Sequence, residues 1–244
     1  MSPRLREVVT KAWTPTELIR AGEQHPRLFA PGTQFSYSTT GYIVLGLLAE
    51  RAGGESYGNQ LRDYITGPLH LSHTTLPNGT AGTPPDVHGY FALSTWDQAL
   101  SSAPADITAL SPTADWSGGG IRSTVQDVAA FYRALFSASC FPGPRSQPCR
   151  TRRRPTAPTG SASCRPAETP TSGGPARSRS TPPAVAPGAT AATSPGYLEL
   201  PISSPDGSRQ AVLLVNADPS LIPQSQLQQV YHVLNTAYCQ GFPS

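Results

Sequence analysis

The sequence predicts an α/β fold: a helical part, then an antiparallel sheet closed by a terminal helix. Three observations predict it. Capped, amphipathic helix patterns fill residues 1–137. Two short apolar runs flank a Pro205-Asp206-Gly207 turn. A last apolar stripe at helical spacing follows them. The 244 residues are enough for one or two domains with a real core.

Thr14-Pro15-Thr16-Glu17 is a capping box with proline at the first helical position, so a helix starts there. Ser38 or Thr39 can cap the next helix, which carries Tyr42, Leu45 and Leu48 and stops at Gly53. Tyr57–Ile65 reads as a further short helix. Ser123-Thr124-Val125-Gln126 reads as a second capping box, opening a helix with Val125, Val128, Phe131, Tyr132 and Leu135 on one face. Leu198–Ser203 and Arg209–Asn216 are the two apolar strands, and Leu227, Val230, Tyr231 and Leu234 mark the terminal helix of a 197–244 unit.

Residues 138–196 differ in kind. They hold one aromatic residue, Phe141, and one branched aliphatic residue, Val185, against twelve prolines. Nothing there could bury enough apolar surface to offset its ordering entropy, so a disordered, basic linker is expected. The span also carries eight of the chain's 18 basic residues and one of its 15 acidic ones. The formal charge of +3 therefore comes from this span, the remainder is mildly acidic, and a nucleic-acid role gets no support. Three of the four cysteines, Cys140, Cys149 and Cys164, lie there too. No C-x-x-C spacing suggests a metal. The longest apolar run, Tyr42–Ala49, is too short to span a membrane, and MSPRLREVV has no apolar signal core.

Phe29–Gly53, FAPGTQFSYSTTGYIVLGLLAERAG, resembles the second active-site element of the penicillin-recognising serine hydrolases: D-alanyl-D-alanine carboxypeptidases, class C β-lactamases and related esterases. Pro31, Gly32, Phe35, Tyr37, Ser38, Leu45, Gly46 and Glu50 match that pattern, and Thr39 stands where the family has asparagine. Pro68-Leu69-His70-Leu71 with Thr74 and Pro77 resembles the family's P-L-G-L-x-x-T-x-x-P. Trp116–Thr124 resembles its A-x-G-G-x-x-S-T stretch, and Asp127–Phe131 the D-L-A-x-F helix after it. Ser203–Gly207 with the following V-L-V-N resembles the final hairpin. Each match alone is weak, but order and spacing are shared. The resemblance implies a β-lactamase/transpeptidase-like α/β fold, here incomplete, with residues 1–137 as its helical part and 197–244 as its last hairpin and helix.

It also implies acyl-enzyme chemistry on a small peptide, β-lactam or ester substrate, with no cofactor and no metal. That chemistry needs a serine and lysine in S-x-x-K, a tyrosine that shuttles the proton, and a K-T-G or H-x-G strand. Tyr37 fills the second role, with Ser38, Thr39 and Trp116 expected around the substrate. Neither other element occurs: the single lysine, Lys11, follows Val8-Val9-Thr10, and none of the five histidines begins H-x-G. The S-x-x-K element is expected upstream. The third element is expected inside 138–196. Joining the third base of each codon there to the first two of the next makes Ala138–Gly143 compatible with K-L-L-P-G, Pro158–Ser163 with Y-G-L-G-L, and Gly188–Gly196 with G-H-G-G-D-I-P-G. These resemble the family's segments in order and share one frame. The span is therefore expected to be out-of-frame translation, against the alternative of a genuine Pro/Arg-rich linker.

The structural alternatives are concrete. Tyr37 without its motif would be a packed tyrosine before a helix, Ser38 a cap, Trp116 a core tryptophan, and His88-Gly89-Tyr90 purely structural. Cys239 is either a free buried thiol or has lost a disulfide partner to the odd span. A phenol without a cationic neighbour is almost wholly neutral at pH 7, and Thr39 offers one hydroxyl where an amide would both donate and accept. The alternative function is thus a catalytically inactive remnant or binding module. The family is usually exported, so location stays open here, as does oligomeric state.

Overall fold

The computed structural model describes residues 10–77, 87–95, 98–137, 192–204 and 206–240. Residues 138–191, which hold most of the span expected to be out of frame, and Pro205 of the hairpin turn lie outside the described residues.

Helix α1, Pro15–Glu23, starts as its sequence dictates. Thr14 Oγ1 accepts from the Glu17 N–H, and Glu17 Oε2 accepts from the Thr14 N–H at 2.8 Å. Lys11 adds an ion pair to Glu17 at 3.0 Å and lies 3.9 Å over the Trp13 ring. The Thr14 N–H above all, then Lys11 and the Thr14 hydroxyl, hold the Glu17 carboxyl at about 2. Helix α2, Thr39–Gly53, is capped by Ser38, whose Oγ accepts from the Gly41 N–H at 3.2 Å. It ends at Gly54, whose φ of +75° is the left-handed stop that glycine takes most cheaply. Helix α3, Tyr57–Leu61, runs on into a π turn, Arg62–Thr66. Helix α4 spans Val125–Phe136 and helix α5 Gln224–Gln240.

Two sheets accompany the helices. Strands β1, Tyr90–Ala92, and β2, Pro104–Asp106, form an antiparallel pair over a small core of Phe91, Leu93 and Ile107. Strands β3, Ala192–Ser194, β4, Tyr197–Ser203, and β5, Gln210–Val215, form an antiparallel sheet in that order. Strand β3 thus lies inside the 138–196 span, ahead of the expected 197–244 unit. Pro195-Gly196 makes the turn that lets β3 pair back onto β4, with Gly196 at φ +83°.

Strand alternation sorts the side chains. Leu198, Leu200 and Ile202 of β4, with Ala211, Leu213 and Val215 of β5, face α5. There they meet Leu227, Val230, Tyr231 and Leu234, the stripe seen in the sequence. Helix α4 packs on the other face, where Arg133 Nε donates to Gln210 Oε1 at 3.1 Å. The sheet is the middle layer between two helices.

The expected cap of α4 is off by one. Thr124, not Ser123, is the N-cap, and its Oγ1 accepts from the Asp127 N–H at 3.2 Å. Ser123 is taken up elsewhere: its hydroxyl lies 2.8 Å from Thr74 Oγ1. Asp127, buried in the first turn of α4, accepts from the His73 N–H at 2.9 Å and the Thr74 hydroxyl at 2.8 Å. Thr75 pairs with Arg122 alongside. Two separate sequence patterns, the Pro68–Pro77 and Trp116–Phe131 stretches, are therefore two sides of one junction.

That junction yields two predictions. Replacing Asp127 with alanine takes the acceptor from the half-buried His73 N–H and leaves the Thr74 hydroxyl with Ser123 alone, and should cost about 1–3 kcal/mol of unfolding free energy by denaturant titration; a loss within experimental error of zero contradicts the junction. His70 sits at φ +55°, where the related pattern has glycine. His70→Gly should raise stability by about 1 kcal/mol, because the left-handed conformation costs an L-residue that much; lower stability would show that the imidazole contributes more than its backbone costs.

Candidate active site

Tyr37 is the last residue before the cap of α2. Its ring is 65% exposed and lies 5.6 Å from the Tyr42 ring, tilted by 42°. Ser38 is spent on capping, as its position implied. Phe35, Tyr42, Leu45 and Leu48 are exposed with Tyr37, so this face of α2 presents apolar surface. The opposite face is fixed. Ile43 and Gly46 are buried there, and the turn Asp115–Gly120 packs into the space Gly46 leaves. A Cβ on Gly46 would meet Ser117 Cβ at 2.7 Å and Trp116 Cζ3 at 2.8 Å. Ser117 Oγ donates to the Tyr42 carbonyl at 3.0 Å. Gly118 approaches Thr39 equally closely: a Cβ there would meet Thr39 Cγ2 at 2.8 Å.

Trp116 therefore sits between helices. Half-buried, it lies 5.6 Å from the Tyr57 ring of α3. Burial pushes the Tyr57 phenol up. The Trp116 backbone holds φ +34°, an unusual conformation for a bulky residue. Gly120 lets the turn close, because a Cβ would meet the Trp116 backbone oxygen at 2.8 Å and nitrogen at 2.9 Å.

The same turn reaches the sheet. Ser194 Oγ of β3 donates to Asp115 Oδ2 at 2.7 Å. Around it the loop before β1 is tied to the sheet by Tyr197 Oη donating to the Val87 carbonyl at 3.0 Å, and by Asn216 Nδ2 donating to the His88 carbonyl at 2.9 Å. Thus Thr39 and Trp116 meet one turn, while Tyr37 and Ser38 stand at the helix entry beside it. Sequence reasoning missed Asp115 as the link from this turn to the sheet. A lone aspartate before Trp116 carries no recognisable pattern.

Other titratable groups lie near the sheet. His88 Nδ1 is 2.7 Å from Asp106 Oδ2, in an exposed pair. The Thr108 hydroxyl first, then its N–H and His88, hold the Asp106 carboxyl at about 2. Burial pushes up the Glu199 carboxyl of β4 and, as the main cause, the Tyr197 phenol. Lys11, the one lysine, is engaged with Glu17 and Trp13. Cys239 is disulfide-bonded, which rules out a free thiol there. No cluster of metal-ligating side chains occurs among the described residues, nor is any helix among them long and apolar enough to cross a membrane.

Comparison with known proteins places this arrangement. A family model described as Beta-lactamase matches residues 3–220. The mouse serine beta-lactamase-like protein LACTB, mitochondrial, is 31% identical over 121 residues, which is 49% of this chain and 20% of that protein. Protein flp of Staphylococcus aureus strain MW2 is 32% identical over 75 residues, 31% of this chain and 14% of that protein. A crystal structure of a D-stereospecific amidohydrolase from Streptomyces sp. superposes with a TM-score of 0.69 at 23% identity, covering 99% of this chain and 65% of that one. The chain thus spans under two thirds of that amidohydrolase and a fifth of LACTB. With the match running through both the helical part and the sheet, the chain belongs to the beta-lactamase family of penicillin-recognising serine hydrolases, and its fold is the β-lactamase/transpeptidase-like one.

Proposed function

We propose that these residues form the tyrosine-bearing part of a serine hydrolase that works through an acyl-enzyme, with Tyr37 as the proton shuttle, and that the 244 residues alone are catalytically silent. Peptides ending in D-Ala-D-Ala, β-lactams and related esters or amides are the substrate classes. The observation that carries the reading is the placement of Tyr37: exposed, at the entry of a capped helix whose far face is fixed by the Asp115–Gly120 turn. As a phenolate, kept ionised by the cationic neighbour that the lysine of S-x-x-K would supply, this group would take a proton from an attacking hydroxyl, and as the resulting phenol it would pass that proton to the leaving group. Ser38 and Thr39 would line the substrate side, and Trp116 would stiffen the turn behind them.

Silence follows from chemistry. No S-x-x-K is present to supply a nucleophile with its activating amine, and no H-x-G or K-T-G strand to bind a carboxylate. Lys11 is no substitute, since Glu17 and Trp13 already hold its ammonium group. A nucleophile must come from polypeptide outside these residues. Reading residues 188–192 in the shifted frame would restore the third element as H-G-G just ahead of β3 in sequence.

Labelling with a fluorescent penicillin tests this. The 244-residue chain should remain unlabelled, since removing a catalytic serine costs roughly a million-fold in turnover in an unrelated serine protease. A chain carrying an S-x-x-K segment and the shifted frame should label, and Tyr37→Phe in it should slow acylation about a hundredfold or more. Stoichiometric labelling of the 244 residues, or undiminished acylation by the Tyr37→Phe form, overturns the reading.

A further inference from the structure

His88 and Asp106 form a pair that the chemistry around Tyr37 does not use. His88 Nδ1 lies 2.7 Å from Asp106 Oδ2, and among the described residues nothing bonds the imidazole Nε2. The carboxylate is fixed through its other oxygen. Asp106 Oδ1 accepts from the Thr108 hydroxyl at 2.6 Å and from the Thr108 N–H at 2.9 Å. Thr108 Oγ1 in turn accepts from the Gly89 N–H at 3.1 Å. The backbone of the histidine is held as well. Asn216 Nδ2 donates to its carbonyl, and Tyr197 Oη donates to the Val87 carbonyl just before it. Both members of the pair are therefore set by the sheets behind them.

This arrangement fixes the tautomer of the imidazole. Thr108 first, then His88, hold the Asp106 carboxyl at about 2, so it is ionised in neutral solution and can only accept. A neutral ring facing it must carry its proton on Nδ1, which leaves the Nε2 lone pair free. A histidine without such a partner divides its proton between both nitrogens. The pair is also open to solvent, with 63% of the His88 side chain and 47% of the Asp106 side chain exposed. Val87 and Tyr90 are exposed in the same stretch, and Tyr90 pairs with Asp106 across the ladder, so an aryl group finds apolar surface there. The remaining histidines, His25, His70, His73 and His232, are exposed too. Among the described residues none of these four has a carboxylate partner, and His73 Nδ1 meets only the Ser72 hydroxyl. Exposure is shared by all five; the carboxylate belongs to His88.

We propose that His88 is a nucleophilic imidazole, positioned by Asp106, that takes acyl groups from aryl esters and acid anhydrides and passes them to water. Nε2 attacks the carbonyl carbon. A C–N bond forms, and the bond to the aryloxide or carboxylate breaks, its electron pair leaving with that group. The ring becomes an acyl-imidazolium, whose positive charge the Asp106 carboxylate offsets from 2.7 Å. Water then adds to the same carbonyl, the C–N electron pair returns to Nε2, and the acid formed gives its proton to solvent. The net change is hydrolysis of one ester or anhydride bond, and the imidazole is recovered neutral. Asp106 touches no reacting atom and acts through the ring. The inference does not depend on the chemistry proposed for Tyr37.

Diethyl pyrocarbonate, an anhydride, tests this on the unaltered 244-residue chain, because its carbethoxyl group stays on imidazole long enough to be mapped by mass spectrometry. His88 should react roughly tenfold faster than His25, His70, His73 or His232. In Asp106→Asn the amide oxygen still accepts from Thr108, but an N–H turns toward Nδ1. The ring must then carry its proton on Nε2, so His88 should fall to the rate of the other four. His73 and His232 sit on other elements, and their rates should not move in this variant. If they do, the variant has unfolded, and the rates in the unaltered chain decide alone. Turnover of p-nitrophenyl acetate by the chain should drop roughly fivefold or more in His88→Gln and stay unchanged in His25→Gln. His88 reacting no faster than the other exposed histidines overturns the proposal. So does undiminished reaction of His88 in a folded Asp106→Asn chain, or full turnover by His88→Gln.

Discussion

The close approach of helix α2 to the Asp115–Gly120 turn sets the geometry on which the rest depends. Gly46 has no side chain, so Trp116 and Ser117 enter the space beside it, and Ser117 bonds the Tyr42 carbonyl. Gly118 brings the turn equally near Thr39. The helix is thereby fixed in rotation, and Tyr37 at its entry is fixed with it. The other end of the turn is tied to β3 by Asp115 and Ser194. One short turn therefore relates the helix that Tyr37 precedes to strand β3 of the sheet.

Much of this was legible from residues. Caps and stripes located α1, α2, α4 and α5, because a capping side chain and a 3.6-residue period are local signals. The residues of the α5 stripe all reach the core they implied. The π turn after α3, strands β1 and β2, and the Asp115 link were not legible. Three-residue strands such as Tyr90–Ala92 offer too little alternation to read, and their pairing with Pro104–Asp106 is fixed by tertiary contacts. The cap of α4 was misplaced by one residue because two adjacent hydroxyls compete, and only the fold shows that Ser123 belongs to Thr74. Resemblance put Tyr37, Ser38, Thr39 and Trp116 forward as site residues. Exposure decided what resemblance could not: Ser38 is spent on its cap, and Trp116 packs between α2 and α3.

Buried polar atoms are satisfied at the Asp127 junction, and both cores are apolar and continuous. Among the described residues, the face of α2 that carries Tyr42, Leu45 and Leu48 is exposed and apolar. A serine hydrolase needs its nucleophile, proton shuttle and oxyanion donors brought within hydrogen-bond reach of one carbonyl. Under the function proposed above, Tyr37 is the group that the described residues would contribute to that set.

A double-mutant cycle on Asp115 and Ser194 tests most directly whether that turn couples the helical part to the sheet. Asp115→Ala, Ser194→Ala and the pair would be unfolded with urea. The account predicts a single cooperative transition and an interaction energy of about 1–2 kcal/mol, the magnitude of a hydrogen bond to a charged acceptor. Strictly additive effects, or separate transitions for α2 and the β3–β5 sheet in the unsubstituted chain, would contradict it.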